Sequence, residues 1–295
     1  MNSLSTPQSI IWFTVHKSAS EYIRAEILPK LAQELDMKYI DYEGDYWLRG
    51  KSFKDTLINH KKPSHFFNPV GCIYGPFRQF YQEIPSLGNY KVVLMLRDPR
   101  DALTSLYFSL AYSHYLPERR KAEVENVRKL ALKSTIDDYV LEKSYSFFDT
   151  YKKYCEQSLG LPNVLFLKYE DMVNDLKNWL NTLINFIQFE ASQNFVNHLV
   201  KQANFEVKED IYAHKRQVKP GDHRRKLKVK TIRLLNEKFN QILHQLAYIS
   251  GDSYENLELD QLLLHQAREQ LARSQALMQQ YQDQLQKSSD LVRSD

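Results

Sequence analysis

An α/β fold, with a parallel sheet covered by helices on both faces and a helical tail behind it, is what this 295-residue sequence predicts. Three observations carry that expectation. Short apolar runs recur at Ser9 to Val15 (SIIWFTV), Lys91 to Leu96 (KVVLML) and Val164 to Leu167 (VLFL), with the length and composition of buried strands. Each is followed by polar residues and then a helical pattern, as in Tyr22, Ile23, Ile27, Leu31 and Leu35 within Ser20 to Leu35. Near the end, Leu257, Leu264, Leu271, Met278 and Leu285 recur every seven residues. Strands alternating with helices build parallel sheets, and ligands then bind beyond the carboxyl ends of the strands.

The remaining elements follow in order. Gly71 to Tyr74 adds a fourth strand. Arg224 to Ala247 reads as a long helix, basic and then apolar-periodic, with Gly251-Asp252-Ser253 as its stop signal. The domain is therefore expected over 1–250 and the heptad tail over 255–290. The companion positions of the tail, Asp260, Ala267, Ser274, Tyr281 and Ser288, are too polar for a strong two-residue seam. The tail is expected to associate weakly into a coiled coil and homo-oligomer, or to pack back on the domain, with a solvated single helix as the alternative.

Composition narrows the function. A hydrophobic fraction of 43% with 26% charged residues belongs to a packed protein. The net charge of +4 is too even for nonspecific nucleic-acid binding, so any anion site is local. The start MNSLSTPQSIIWFTV lacks a basic region and an apolar stretch of signal-peptide length, and no run approaches membrane-spanning length. A cytoplasmic protein is expected, with Cys72 and Cys155 as reduced bystanders rather than zinc ligands, and no metal.

Two strand ends carry the chemistry. After the first strand, His16-Lys17-Ser18-Ala19-Ser20-Glu21-Tyr22 leads into a helix, where exposed backbone N–H groups favour phosphate oxygens. Lys17 adds a mobile point charge; the same residues would equally serve as a helix cap beside a solvated lysine. The Walker A pattern is not met, since glycines are missing and the lysine precedes the hydroxyls, which weakens an ATPase reading. The strand KVVLML runs into Arg97-Asp98-Pro99-Arg100-Asp101, with Ser105 about two turns along the following helix. A guanidinium and a hydroxyl can converge there on one phosphate group, or the segment is an ordinary salt-bridged helix start.

The first loop resembles the 5′-phosphosulfate loop of sulfotransferases, Thr-x-Pro-Lys-Ser-Gly-Thr-Thr-Trp. Lys17 and Ser18 match and Ser20 stands for a threonine, while His16, Ala19, Glu21 and Tyr22 replace proline, glycine, the second threonine and the aromatic residue that stacks on adenine. The second segment meets every fixed position of that family's Arg-[Asn/Asp]-Pro-[Lys/Arg]-Asp-x-x-x-Ser-x-Tyr pattern. Lys168-Tyr169-Glu170-Asp171 resembles its later Tyr-Glu-Asp signature, and Arg216-Gln217-Val218-Lys219-Pro220-Gly221-Asp222-His223-Arg224 its closing Arg-Lys-Gly-x-x-Gly-Asp-Trp-Lys segment. The resemblance covers residues 9 to about 227.

It implies a P-loop-like three-layer domain that moves a sulfuryl group from 3′-phosphoadenylyl sulfate (PAPS) to a hydroxyl or amine, releasing 3′,5′-diphosphoadenosine (PAP). Donor binding would fall to Lys17, Ser18, Ala19, Ser20, Glu21, Tyr22, Arg97, Ser105, Tyr169, Arg216 and Gly221. Lys17 would also stabilise the leaving group. For the base, Tyr74 stands where many members have histidine, and Glu43 where others have glutamate. His60 and His65 qualify by imidazole chemistry, and the catalytic expectation is Lys17 with Glu43 or His65. The acceptor would be a small molecule, glycan or peptide. The 19 tyrosines and 15 phenylalanines serve either as its pocket or as core. Two rivals stand beside this reading: a nucleotide or sugar kinase, and a non-catalytic nucleotide-binding protein acting through its tail.

Overall fold

Runs apolar on both faces form strands buried on both faces, and in the computed structural model five of them make one parallel sheet. The structure describes residues 7–114, 118–189, 193–213 and 215–249, with tail positions 268, 271, 272, 274, 275, 278 and 279. The strands are β1 (Ile10–Phe13), β2 (Lys38–Ile40), β3 (Cys72–Phe77), β4 (Lys91–Leu96) and β5 (Val164–Lys168), in the order β2-β3-β1-β4-β5. β1 pairs Ile10 with Ile73 on one side and with Lys91 on the other.

Alternation along β1 assigns the layers. Ile10 and Trp12 join a core with Ile23, Ile27, Leu31, Trp179 and Leu183, from the helical segment Ser20–Glu34 and the helix Leu176–Ile187. Phe13 points the other way, 5.7 Å from the ring of Tyr154 on the helix Ile136–Gln157. Burying each such side chain stabilises the fold by about 1.5–3 kcal/mol.

Several expectations are adjusted. β1 is shorter than Ser9 to Val15, because Thr14 already turns its N–H to the Phe77 carbonyl at 2.7 Å. β3 extends the fourth strand to Phe77, and β2 was missed because three partly exposed residues make no apolar run. The first helix contains a π turn at Ile23–Ile27 just before Pro29, whose ring and missing N–H do not fit a regular turn. The expected helix from Arg224 is two helices, Asp222–Lys226 and Val229–Gln245.

The chain divides into a unit over Met1–Gln245 and another over Leu246–Asp295. In the second, Leu271 and Met278 are helical and exposed, while Leu257, Leu264 and Leu285 lie outside the described residues.

Candidate functional site

β1 lies between β3 and β4, and the connections from β1 and β4 run to opposite sides of it. A crevice therefore opens at the carboxyl ends of these strands. The loop after β1 bends sharply, with Lys17 at φ 68° and Ala19 at φ 58°. Left-handed backbone at a residue with a Cβ costs about 1–2 kcal/mol, which explains the glycine that sulfotransferases carry at the Ala19 position. Turns of this kind gather successive N–H groups into an anion-binding concavity. Ser18 is fully buried there, and its hydroxyl has no partner among the described residues.

Arg97 leaves the end of β4 and reaches the same loop. Its Nη1 donates to the Lys17 carbonyl at 2.9 Å, and its guanidinium lies 4.3 Å from the ring centroid of Tyr169. Its Nε is buried without a partner among the described residues. The Lys17 ammonium is lowered to about 8 by burial and then by Arg97 and Arg78, with Glu21 opposing only in part. Positive charge and idle donors thus converge where an anion fits.

The acidic residue in the loop does not face the anion site alone. Glu21 takes Arg78 at 2.6 Å and Arg24 at 2.8 Å. Arg78, immediately past β3, also donates from Nε to the Ser20 hydroxyl at 3.1 Å and from its backbone N–H to Glu43 at 3.0 Å. Tyr81 donates to the second oxygen of Glu43 at 2.7 Å. Burial lifts the Glu43 carboxyl above the ordinary range, against the opposing pull of Arg78 and Tyr81. Glu43 is thereby one arginine away from the Lys17 loop.

The later segment is fastened to the Arg97 motif. Asp101 accepts from Gly221 N–H at 2.6 Å and from His223 N–H at 2.9 Å. Gly221 sits at φ 86°, which accounts for glycine at that place. The Tyr169 hydroxyl donates to the Val218 carbonyl at 2.8 Å. Arg216 is buried over the Phe108 ring and ion-paired with Glu209, at 2.7 Å, and with Asp222.

The structure therefore brings Lys17, Ser18, Ala19, Ser20, Glu21, Arg97 and Tyr169 to one corner, with Glu43 linked through Arg78. Ser105 is partly exposed on the helix Pro99–Phe108. Tyr22 sits edge-on to Phe205 at 5.4 Å. Tyr74 is buried against Tyr42 and Phe67 and accepts from Asn68 N–H at 2.6 Å. His65 is exposed with its ring against His60, 6.1 Å away, and no described contact ties either to Lys17. Arg78, Asp101 and His223 were missed as site residues. A charged residue directly after a strand was the available signal for Arg78, and for Asp101 its place at a fixed position of the Arg97 pattern.

The family model for the sulfotransferase domain matches residues 80–247, more than half of the chain. The chain belongs to the sulfotransferase domain family. Among curated relatives, this sulfotransferase-family chain is 28% identical to the amine sulfotransferase of the rabbit Oryctolagus cuniculus over 47% of its own length and 44% of that protein's. It is likewise 28% identical to sulfotransferase 1E1 of Bos taurus over 40% of this chain and 37% of the relative. The alignments thus span less than half the length of these relatives. A mouse sulfotransferase crystallised with PAP shares the fold at a TM-score of 0.57 and 15% identity, over 81% of this chain and 88% of that one. The matched span holds Arg97, Ser105, Tyr169, Arg216 and Gly221 and begins beyond Lys17.

Proposed function

We propose that this sulfotransferase-family chain transfers a sulfuryl group from PAPS to the hydroxyl or amine of a small-molecule acceptor and releases PAP. The observation that carries the reading is that Arg97, with its Nε partnerless, reaches the Lys17 loop, where the Ser18 hydroxyl is also buried without a partner among the described residues and the Lys17 ammonium is lowered to about 8 by burial, Arg97 and Arg78. Excess positive charge at the end of β1 suits the 5′ side of the donor, and Arg97 with Ser105 suits its 3′-phosphate. Arg216 shares Glu209 and Asp222 with Arg225 and Lys226, three cations against two carboxylates, so the closing segment is held in shape and keeps an excess of positive charge for the same phosphate.

The donor supplies the sulfuryl group and a 5′-phosphate leaving group. The acceptor atom bonds to sulfur as the bond from sulfur to the bridging oxygen breaks, and that electron pair stays with the nucleotide. Lys17 stabilises the charge gathered there. Glu43 takes the acceptor's proton, since a carboxylate whose proton affinity is raised by burial is a stronger base than an exposed one. A cytoplasmic location belongs to the proposal, as Cys72 and Cys155 are both free thiols. Weak self-association through the tail is supported by the exposed Leu271 and Met278 at seven-residue spacing.

The test supplies sulfur-35-labelled PAPS with a panel of phenols, aliphatic alcohols and primary amines. Acceptor-dependent PAP release with label on the acceptor is expected. Tight PAPS binding with no transfer to any acceptor would instead favour the non-catalytic nucleotide-binding reading.

A further inference from the structure

We infer that the helix Ile136–Gln157 is a gauge that sets the spacing of the two anion-binding loops, with Tyr151 and Tyr154 as its positioning residues; this rests on the sulfuryl-transfer reading. β1 pairs with β4 as far as Phe13 and Leu94, and β4 with β5 as far as Leu96 and Lys168. The next carbonyls after β1 and β4, those of Thr14 and Arg97, leave the sheet in residues that are 0% and 3% exposed. Carbonyls in such surroundings need a partner.

One helix supplies both partners. The Tyr151 hydroxyl donates to the Arg97 carbonyl at 2.5 Å, and the Tyr154 hydroxyl donates to the Thr14 carbonyl at 2.7 Å. The two tyrosines are three residues apart, on one helix face, and neither is exposed at all. The Tyr154 ring forms a triangle with Phe13 at 5.7 Å and Phe80 at 6.1 Å, and Tyr151 is held at its hydroxyl, with Phe147 only packed alongside it at 6.3 Å. Burial holds both phenols protonated, and hence donating, well above their usual range.

The frame closes on itself. Arg97 Nη1 reaches the Lys17 carbonyl, three residues after Thr14, at 2.9 Å. Thr14 to Lys17, Arg97, and Tyr151 to Tyr154 therefore form a ring of covalent and hydrogen bonds around the crevice. The separation of Lys17 from Arg97, which the two ends of the donor must match, is set by the protein before any ligand arrives.

Phenylalanine removes each hydroxyl and keeps the ring. PAP and adenosine 5′-phosphate are titrated into the wild type, Tyr151→Phe, Tyr154→Phe and the control Phe147→Leu, which loosens the packing around Tyr151 but keeps its hydroxyl. Tyr151→Phe should lower the preference for PAP about tenfold through Arg97, and Tyr154→Phe should weaken both nucleotides about tenfold through the shared 5′ loop. Phe147→Leu should lower Tm and leave both affinities alone. Combined with Arg97→Ala, Tyr151→Phe should cause no further loss of preference. Each phenylalanine variant reads a different loop, so either one decides the matter if the other fails to fold. The inference falls if the variants bind like a wild type that prefers PAP, or if Phe147→Leu shifts affinity as much as they do. A wild type without any preference for PAP overturns the sulfuryl-transfer reading itself, and the gauge with it.

Discussion

The His223 imidazole meets the Asp101 carboxylate at 2.6 Å, with both side chains almost fully buried. Through this contact and two backbone N–H groups, a carboxylate four residues past Arg97 fastens the segment around Gly221 and His223 to the Arg97 motif. Asp101→Ala leaves those donors unsatisfied and should destabilise the domain by about 1–3 kcal/mol or more in urea unfolding.

Asp101 also gives a pH signature. Burial alone would raise its carboxyl, but His223 and Arg97 overrule it and hold it well below the usual carboxylate range. A folded-state value below the unfolded one means that this contribution is intact above about pH 3.9 and is lost as the pH falls from there through the folded value. Stability measured against pH should fall less steeply below about pH 4 in Asp101→Asn than in the wild type.

Lys17 predicts the opposite dependence, in binding. Its ammonium lies at about 8 in the free protein rather than the ordinary 10.5. A bound anion favours the charged form, so PAP affinity should be flat below pH 8 and fall above it, approaching tenfold per pH unit. Calorimetry on Lys17→Ala should show weaker binding without that slope, and turnover should drop by roughly a hundredfold or more.

Glu43→Gln separates proton transfer from donor binding. The amide keeps the shape of the side chain between Arg78 and Tyr81 but gives up its basicity. Turnover on a hydroxyl acceptor should fall by about 10²-fold or more while PAP affinity is retained. Equal losses in both would make Glu43 a structural anchor of Arg78.

What was legible in the chain follows how local each feature is. KVVLML became β4 with unchanged ends because an unbroken apolar run fits only a strand buried on both faces. The Arg97 segment was equally legible, since strand end, Pro99 and helix start are contiguous. Arg78 was not, because its meaning lies in Ser20 and Glu43, 58 and 35 residues away. Tyr151 and Tyr154 sat in an unremarked helix for the same reason, their partners being 54 and 140 residues distant. The ion pairs of Arg216 were not legible either, because Glu209 and Asp222, though near in sequence, become its partners only when the segment folds back over Phe108.

The most direct test of the donor site needs no acceptor. PAP and adenosine 5′-phosphate are titrated calorimetrically into the wild type and Arg97→Ala. Charge-assisted hydrogen bonds to a phosphate contribute about 1.5–3 kcal/mol each, so PAP should bind the wild type at least about tenfold tighter than adenosine 5′-phosphate, and Arg97→Ala should lose most of that preference. Equal affinities of the two nucleotides for the wild type would contradict the sulfuryl-transfer account.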